Sequence, residues 1–118
     1  LSCDLSRLDA FTLNLLGNDE VLDVNQDPLG QQGRRAAREG RMEVWTRPLA
    51  DGTLAVGLFN LDRKTGPVTV KWEDLGLEGA QPVRDLWRKA DLGVFEDGYR
   101  RDIPRHGAAL LKIGRPKP

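Results

Sequence analysis

Residues 42–61 read MEVWTRPLADGTLAVGLFNL, and this stretch decides the fold class. The hydrophobic pattern changes to a period of two at residue 41, which is typical of a half-buried strand over residues 42–47. A second apolar run, at residues 54–61, follows a turn that contains Asp51-Gly52. Asp-Gly is a strong hairpin signal because glycine adopts positive φ without steric cost. The stretch therefore predicts two antiparallel strands joined by a hairpin.

The same pattern continues to the end of the chain. Further strands are predicted at residues 68–72, 83–88, 92–96, 99–103 and 108–113, with a helical turn at residues 73–77. Turn-forming residues separate these strands, and they include a second Asp-Gly pair at Asp97-Gly98. Seven short strands at close spacing, with no helices between them, predict a mainly β domain that is an antiparallel sandwich or barrel.

The first 24 residues carry a different pattern. Apolar residues recur there every three to four positions, as expected for a helix stripe: Leu5, Leu8, Phe11, Leu15 and Leu16. Gly17 ends this helix, and a second short helix is predicted to reach Val24. A helical pair of this size is marginal in water, so the stripe needs a partner upstream of Leu1. An exposed stripe over residues 5–24 also predicts self-association of the isolated chain.

Residues 25–40 are rich in turn formers and are predicted to be a linker or crossing segment. Four arginines lie in it or directly after it: Arg34, Arg35, Arg38 and Arg41. Such a run is usually a solvated surface with local ion pairs. A phosphate or nucleic-acid site is the less favoured alternative, because no aromatic side chains are interleaved with the arginines.

The composition excludes several classes of partner. The 118 residues include 18 Lys+Arg and 18 Asp+Glu, so the formal net charge is zero and a general nucleic-acid binder is excluded. No apolar run approaches the roughly 20 residues of a membrane span, so no membrane partner is predicted. The sequence has one cysteine, Cys3, and one histidine, His106, which are too few to favour a metal centre or a Cys/His dyad. No cofactor is predicted.

Carboxylate pairs are the main candidates for chemistry, because glycoside hydrolysis needs two acids on opposite sides of one bond. Three adjacent pairs are available: Asp19-Glu20, Glu73-Asp74 and Glu96-Asp97. All three fall at predicted caps or turns, where acidic residues form local hydrogen bonds. A structural role is therefore favoured for each pair, as it is for His106 in a turn and for Cys3 beside a helix start. No catalytic residue is assigned.

The three tryptophans allow a second interpretation, because sugars stack on exposed aromatic rings. Trp72 shares a face with Val68 and Val70 and is predicted to lie in the core. Trp45 and Trp87 occupy amphipathic positions, which suit either a sugar or a second domain. Packing is the commoner role of tryptophan. A free-standing carbohydrate-binding or protein-interaction module is therefore the alternative function.

Several motifs occur in a fixed order along the chain, and the most specific of them is Asn25-Gln-Asp-Pro-Leu-Gly30. The others include Leu1-Ser-Cys-Asp-Leu5, Ala55-Val-Gly-Leu-Phe-Asn60, Trp72-Glu-Asp-Leu-Gly76 and Val83-Arg-Asp-Leu-Trp87. Together they resemble the C-terminal third of family 27 glycoside hydrolases, which are α-galactosidases (melibiases) and related α-N-acetylgalactosaminidases. The resemblance covers essentially the whole chain.

This resemblance implies a parent with a (β/α)₈ barrel followed by an antiparallel β-sandwich of Greek-key type. Residues 1–24 are then expected to be the tail of the barrel, residues 25–40 a crossing segment and residues 41–118 the sandwich. The family is often secreted or lysosomal. Its members hydrolyse terminal α-galactosides with retention, and the upstream barrel is the expected partner of this domain.

The resemblance assigns no catalytic residue to this chain. The family uses two aspartates on earlier barrel strands, and its nucleophile lies in a Lys-Tyr-Asp type motif. Here the single tyrosine, Tyr99, precedes Arg100, so the motif is absent. Ser2, Cys3 and Asp4 are expected at most to line the rim of the barrel. The chain alone is therefore expected to be inactive.

Overall fold

The computed structural model describes residues 20, 24, 27–29 and 33–117. Within these residues, eight strands and one 3₁₀ turn at Trp72–Leu75 form the domain. The strands are β1 (Arg34–Glu39), β2 (Met42–Pro48), β3 (Leu54–Asn60), β4 (Gly66–Lys71), β5 (Gln81–Asp85), β6 (Ala90–Phe95), β7 (Gly98–Ile103) and β8 (Ala108–Ile113). In the described part of the chain, no helix is long and apolar enough to cross a membrane.

The strands form two antiparallel sheets. Six of them lie in the order β1-β2-β3-β8-β5-β6, while β4 and β7 pair with each other in a second sheet. The small sheet packs on one face of the large sheet, which we call the inner face, and the opposite face of the large sheet is the outer face. This arrangement confirms the predicted mainly antiparallel β-sandwich.

The seven predicted strands correspond to β2 through β8, with ends that differ by at most three residues. Strand β1 was not predicted, because residues 34–39 were assigned to the linker over residues 25–40. That assignment was wrong for these six residues, which form a strand paired with β2 and interrupted by a bulge between Arg35 and Ala37. An edge strand tolerates a charged sequence because one of its sides faces water, and charge there also discourages pairing with another chain. The predicted helices over residues 5–24 lie outside the described residues, apart from Glu20 and Val24.

An apolar core fills the space between the two sheets. Its fully buried members come from both sheets and include Val44, Val56, Leu58, Val68, Val70, Ile103, Leu111 and Ile113. Trp72 closes one end of this core and is 2% exposed, as the sequence predicted. The Trp72 Nε1 group donates to the carbonyl oxygen of Phe95 at 2.8 Å, so the indole is buried without losing its hydrogen bond.

A buried ion pair joins the two sheets. Asp85, at the end of β5, receives Arg101 from β7, with Nη2 and Oδ2 3.0 Å apart. Asp85 Oδ1 also accepts hydrogen bonds from the backbone amides of Trp87 and Arg88, at 2.9 and 3.0 Å. Arg101 Nε donates to the hydroxyl oxygen of Tyr99 at 2.8 Å. One carboxylate therefore holds both the contact between the sheets and the turn that follows β5.

The β2–β3 hairpin carries a second charged contact. Asp51 Oδ1 accepts hydrogen bonds from the backbone amide of Thr53, at 2.9 Å, and from the Thr53 hydroxyl. Asp51 Oδ2 lies 2.9 Å from Lys112 Nζ on β8. Burial raises the pKa of Asp51, but the hydrogen bonds with Thr53 and Lys112 outweigh burial and lower the pKa to about 2. Gly52 has a φ of 91°, which explains the Asp-Gly signal in the sequence.

Replacing Asp85 by alanine should strongly destabilise the domain. The change leaves Arg101, whose side chain is 18% exposed, without its carboxylate. Breaking a buried pair in this way lowers the free energy of unfolding by about 3–5 kcal/mol, which urea unfolding measures. The control is Asp91→Ala, because the Asp91 side chain also pairs with an arginine but is 83% exposed. Its loss should stay below about 1 kcal/mol. An equal decrease in the free energy of unfolding in the two variants would contradict the assignment of a buried, stabilising ion pair at Asp85.

Asp51→Asn should change how the stability depends on pH. The pKa of Asp51 in the folded state lies below its ordinary value of 3.8, so the ionised carboxylate stabilises the fold above about pH 4. This contribution is lost as the pH falls through the folded-state value of about 2. The side chain is 37% exposed, and solvent screening limits the effect to roughly 1 kcal/mol. Urea unfolding should show the variant less stable at pH 7 and the two proteins converging toward pH 2. If the difference in the free energy of unfolding between the two proteins stays constant from pH 7 to pH 2, the ionised Asp51 carboxylate does not stabilise the fold.

Candidate functional site

The outer face of the large sheet is apolar at its centre. Strand pairing places Trp45, Gly57 and Leu110 in one row across β2, β3 and β8, and Phe59 lies in the next row. We call the apolar group on this face the outer cluster; its buried members are Val24, Trp45, Leu49, Ala55, Phe59, Leu86 and Leu110. A sandwich that faces water on its outside alternates buried with polar residues along each strand. An apolar outer face therefore identifies this surface as one that contacts another part of the protein.

Buried polar groups flank the outer cluster on β2. Glu43 and Arg47 lie on either side of Trp45 and are each 6% exposed. Trp45 Nε1 donates to Glu43 Oε1 at 2.9 Å, and Arg35 Nη1 lies 3.8 Å from Glu43 Oε2. Charged side chains are rarely this buried unless they are paired or hydrogen-bonded. The buried polar side chains of Glu43 and Arg47 are therefore part of the same contact surface as the outer cluster.

Trp45 and Trp87 do not form a sugar platform. Trp45 is 1% exposed and its indole nitrogen is hydrogen-bonded, so no ring face is open to a ligand. Trp87 is half-buried and packs against the outer cluster. The structure thus supports the packing role for both tryptophans rather than stacking on a sugar.

Two carboxylates that precede the sandwich in sequence contact this side of the large sheet. Arg84, on β5, forms a two-pronged pair with Glu20, in which Nε lies 2.8 Å from Oε1 and Nη2 lies 3.0 Å from Oε2. Arg84 Nη1 also donates to Asp91 Oδ1 at 3.1 Å. The hydrogen bond with Glu20, followed by that with Asp91, raises the pKa of Arg84 above its ordinary value. A two-pronged pair fixes orientation as well as distance.

The second carboxylate is Asp27, which lies in the Asn25–Gly30 motif. Its Oδ2 atom accepts hydrogen bonds from the backbone amide of Leu29, at 3.1 Å, and from that of Ala50, at 2.9 Å. The first bond closes a local turn, and the second ties the segment to the β2–β3 hairpin, 23 positions away in sequence. A cleft of about 390 Å³ lies at this joint, lined in part by Glu20, Asp27, Asp51 and Lys112.

The other candidate residues lie away from this joint. Glu73, Glu96 and Asp97 line a shallow cleft at one end of the sandwich, and Asp97 contributes its backbone oxygen to Trp72. His106 sits at a positive φ of 53° in an exposed turn. Ser2, Cys3, Asp4 and Asp19 lie outside the described residues. In the ranges that the structure describes, no three His, Cys, Asp or Glu side chains are grouped to hold a metal ion.

The arginine run lies on and beside β1, at the edge of the large sheet. Arg34, Arg35 and Arg38 are exposed, which agrees with the solvated surface favoured from the sequence. Sequence reasoning did not find the contacts of Asp27 and Arg84, although it selected the Asn25–Gly30 motif as the most specific one. The position of Asp27 before Pro28 is a turn signal, but its partner at Ala50 is visible only in the fold.

Comparison with known proteins gives a consistent result. The profile of the alpha galactosidase C-terminal beta sandwich domain matches residues 39–113. An alpha-galactosidase of Cyamopsis tetragonoloba is 35% identical over 115 residues, which cover 96% of this chain and 28% of the relative. Alpha-galactosidase 2 of Arabidopsis thaliana is 34% identical over 119 residues, covering 99% of this chain and 30% of the relative. The chain therefore spans less than a third of the length of these curated relatives.

A solved structure agrees with the sequence matches. The GH27 β-L-arabinopyranosidase of Geobacillus stearothermophilus superposes with a TM-score of 0.79 at 36% identity, covering 87% of this chain and 23% of that one. Alpha-galactosidase I of Mortierella vinacea gives a TM-score of 0.76 at 33% identity, covering 81% and 26%. The chain thus belongs to the family of α-galactosidase C-terminal β-sandwich domains, from the C-terminal region of family 27 glycoside hydrolases.

Proposed function

We propose that this chain is the supporting C-terminal domain of a retaining α-galactosidase, whose full-length form hydrolyses terminal α-galactosides. The observation that carries the proposal is the outer face, which is apolar, buried and contacted by residues that precede the sandwich. A domain with an apolar sheet face turned toward upstream residues is suited to stabilise an upstream catalytic domain. The family membership and the partial coverage of the curated relatives support the same conclusion.

We divide the chain into a barrel tail, a crossing segment and the sandwich. Residues 1–24 are the tail of the catalytic barrel, and the crossing segment follows them and leads into β1. The sandwich then extends from residue 34 to the end of the chain, so that it includes the edge strand. In this division, Glu20 and Asp27 lie before the sandwich and bind to it through Arg84 and Ala50.

In this proposal the chemistry belongs to upstream residues. Retaining glycosidases place a nucleophilic carboxylate and an acid/base carboxylate about 5 Å apart across the scissile bond. The acidic residues described above serve instead in turns and ion pairs. The domain acts by holding the barrel rather than by touching the sugar. The burial of Trp45 weighs against the alternative of a free-standing sugar-binding module, since no other described tryptophan is fully open.

The proposal is tested on the native polypeptide that contains this sequence. An antibody against the 118 residues captures the polypeptide from source cells, and its mass and hydrolysis of an aryl α-galactoside are measured. A barrel adds about 250 residues, so we expect a product of roughly 40 kDa that cleaves the substrate. The aryl β-galactoside serves as control and should not be cleaved. A product near the 13.1 kDa of this chain, or a larger one without activity, would overturn the proposal.

A separate prediction concerns the chain by itself. The purified 118-residue protein should not hydrolyse the aryl α-galactoside at any concentration, because the barrel carboxylates are supplied by other sequence. The aryl β-L-arabinopyranoside is included in the assay, since one structural relative acts on that class of sugar. Turnover that follows the protein through two purification steps would contradict the assignment of the catalytic groups to the barrel. Self-association through residues 5–24 stays a prediction, which sedimentation of the same sample measures.

A further inference from the structure

The sequence contains two Asp-Gly pairs, Asp51-Gly52 and Asp97-Gly98, and the structure places them in different surroundings. An Asp-Gly pair can undergo one spontaneous reaction, in which the backbone nitrogen of the glycine attacks the aspartate side chain. Glycine favours this reaction because no Cβ atom shields its nitrogen. The reaction needs an aspartate carboxyl group and a following N–H group that are both free of other contacts. The contacts of these two groups therefore decide whether each pair can react.

At Asp51-Gly52 both reacting groups are occupied. The Asp51 carboxylate accepts hydrogen bonds from Thr53, and its Oδ2 atom lies 2.9 Å from Lys112 Nζ. The Gly52 amide donates to the carbonyl oxygen of Leu49 at 3.1 Å. Burial raises the pKa of Asp51, but the bonds with Thr53 and Lys112 outweigh burial and lower the pKa to about 2. The neutral carboxyl group, which is the form that can release an oxygen as water, is therefore scarce at neutral pH.

At Asp97-Gly98 both reacting groups are free of contacts with described residues. The Asp97 side chain is exposed, and its carboxylate forms no hydrogen bond or ion pair within the described part of the chain. The Trp72 amide donates to the Asp97 backbone oxygen at 3.0 Å, and only alternate pairs of an antiparallel ladder exchange such bonds. The next pair, Lys71 with Gly98, is therefore not hydrogen-bonded, so the Gly98 N–H group points away from β4. Among the described strands, none pairs with β7 on that side.

The packing of the small sheet requires the glycine of this exposed pair. A Cβ atom at residue 98 would overlap the carbonyl oxygen of Val70 on β4, and a backbone oxygen cannot turn aside as a side chain can. The backbone oxygen of Asp97 is needed as well, because it accepts the hydrogen bond from Trp72. The Asp97 side chain has no comparable contact among the described residues. The fold therefore keeps an unhindered glycine directly after an unprotected aspartate.

We propose that Asp97-Gly98 is a modification site at which aspartate converts spontaneously to isoaspartate, whereas Asp51-Gly52 is protected by its contacts. The Gly98 nitrogen forms a bond to Asp97 Cγ, and the bond from Cγ to one carboxyl oxygen breaks. That oxygen leaves as water, with the carboxyl proton and the amide proton. Water then opens the resulting five-membered ring. Opening at the Asp97 backbone carbonyl leaves the chain linked through Cγ, which is isoaspartate, and opening at Cγ restores aspartate.

Isoaspartate at residue 97 alters the connection between the two sheets. The main chain gains one carbon atom, which adds about 1.5 Å to the covalent path between β6 and β7. The former backbone carbonyl becomes a carboxylate on a side branch, so the acceptor of the Trp72 amide moves. The Trp72 indole also donates to Phe95, two residues before the altered link. The modification therefore acts on the residue that closes one end of the core.

The experiment measures isoaspartate at both pairs in one sample of the purified 118-residue chain. Folded protein and protein unfolded in guanidinium chloride are incubated in neutral buffer until isoaspartate is readily measured at both pairs in the unfolded sample. Trypsin then releases the two pairs on separate peptides, residues 42–63 and residues 90–100. Electron-transfer fragmentation locates the isoaspartate in each peptide, and methylation by an isoaspartyl carboxyl methyltransferase measures its amount.

In the unfolded protein the two pairs should react at rates within about threefold of each other, because only the local sequence then differs. In the folded protein, residue 97 should form isoaspartate at least about tenfold faster than residue 51, whose reacting groups become free only when the hairpin opens. Equal rates at the two residues in the folded protein would overturn the proposal. The absence of isoaspartate at residue 97 in the folded protein, after the unfolded sample has reacted, would overturn it too.

Asp97→Glu is the matched control, because glutamate keeps the charge and the backbone oxygen but would have to close a six-membered ring. In this variant the isoaspartate signal of residues 90–100 should disappear, and that of residues 42–63 should not change. A signal that persists in residues 90–100 would assign the reaction to Asp91, which lies in the same peptide, and would overturn the proposal.

Hydrogen exchange tests the effect on Trp72. In the incubated folded protein, a fraction of the Trp72 amides equal to the isoaspartate fraction at residue 97 should exchange faster, because these amides have lost their acceptor. The incubated Asp97→Glu variant should show one slow rate. A single slow rate for Trp72 in the incubated unaltered protein, despite isoaspartate at residue 97, would contradict this effect.

Discussion

A sheet that carries large apolar side chains on both faces has to be covered on both faces, and this constraint governs the domain. The inner face of the six-stranded sheet is covered by β4 and β7, and together they enclose a core that includes Trp72. The outer face carries Trp45 and Leu110, which the small sheet does not cover and which pack with Val24, Leu49 and Leu86. This outer face supports the proposal that the large sheet is the middle layer of a larger arrangement.

Apolar contact stabilises the packing of these layers but does not fix their relative orientation, because the hydrophobic effect depends on buried area and is not directional. The relative orientation is fixed by carboxylates at the contacts between structural elements. Asp85 joins the two sheets, Glu20 joins the upstream segment to β5, and Asp27 joins the same segment to the β2–β3 hairpin. Each of them accepts more than one hydrogen bond or receives a forked arginine. Ion pairs and hydrogen bonds of these carboxylates thus orient the layers, while apolar burial holds the layers together.

Local patterns were sufficient to predict most of the fold. Seven of the eight described strands, the Asp51-Gly52 hairpin and the core position of Trp72 follow from alternation and turn chemistry. Strand β1 was missed because its identity comes from pairing with β2, while its arginine-rich sequence looks like a solvated loop. The pairs Asp85–Arg101 and Glu20–Arg84 join residues 16 and 64 positions apart, and no local pattern encodes such a distance. The role of Trp45 was ambiguous for a similar reason, since its position on β2 looked amphipathic and its burial depends on what lies above the sheet.

Among the described strands, β1 and β6 form the two edges of the large sheet, and they share one protective feature and differ in another. Both edges are distorted by a bulge, β1 between Arg35 and Ala37 and β6 opposite Val83 and Arg84, and β1 carries exposed arginines in addition. A bulge bends an edge away from a flat partner by backbone shape. Charge acts over a distance that shrinks from about 10 Å at 0.1 M salt to about 3 Å at 1 M. Concentrated salt therefore weakens the charge on β1 and leaves the backbone distortion of both edges in place, so shape rather than charge keeps two such sheets from joining at high ionic strength.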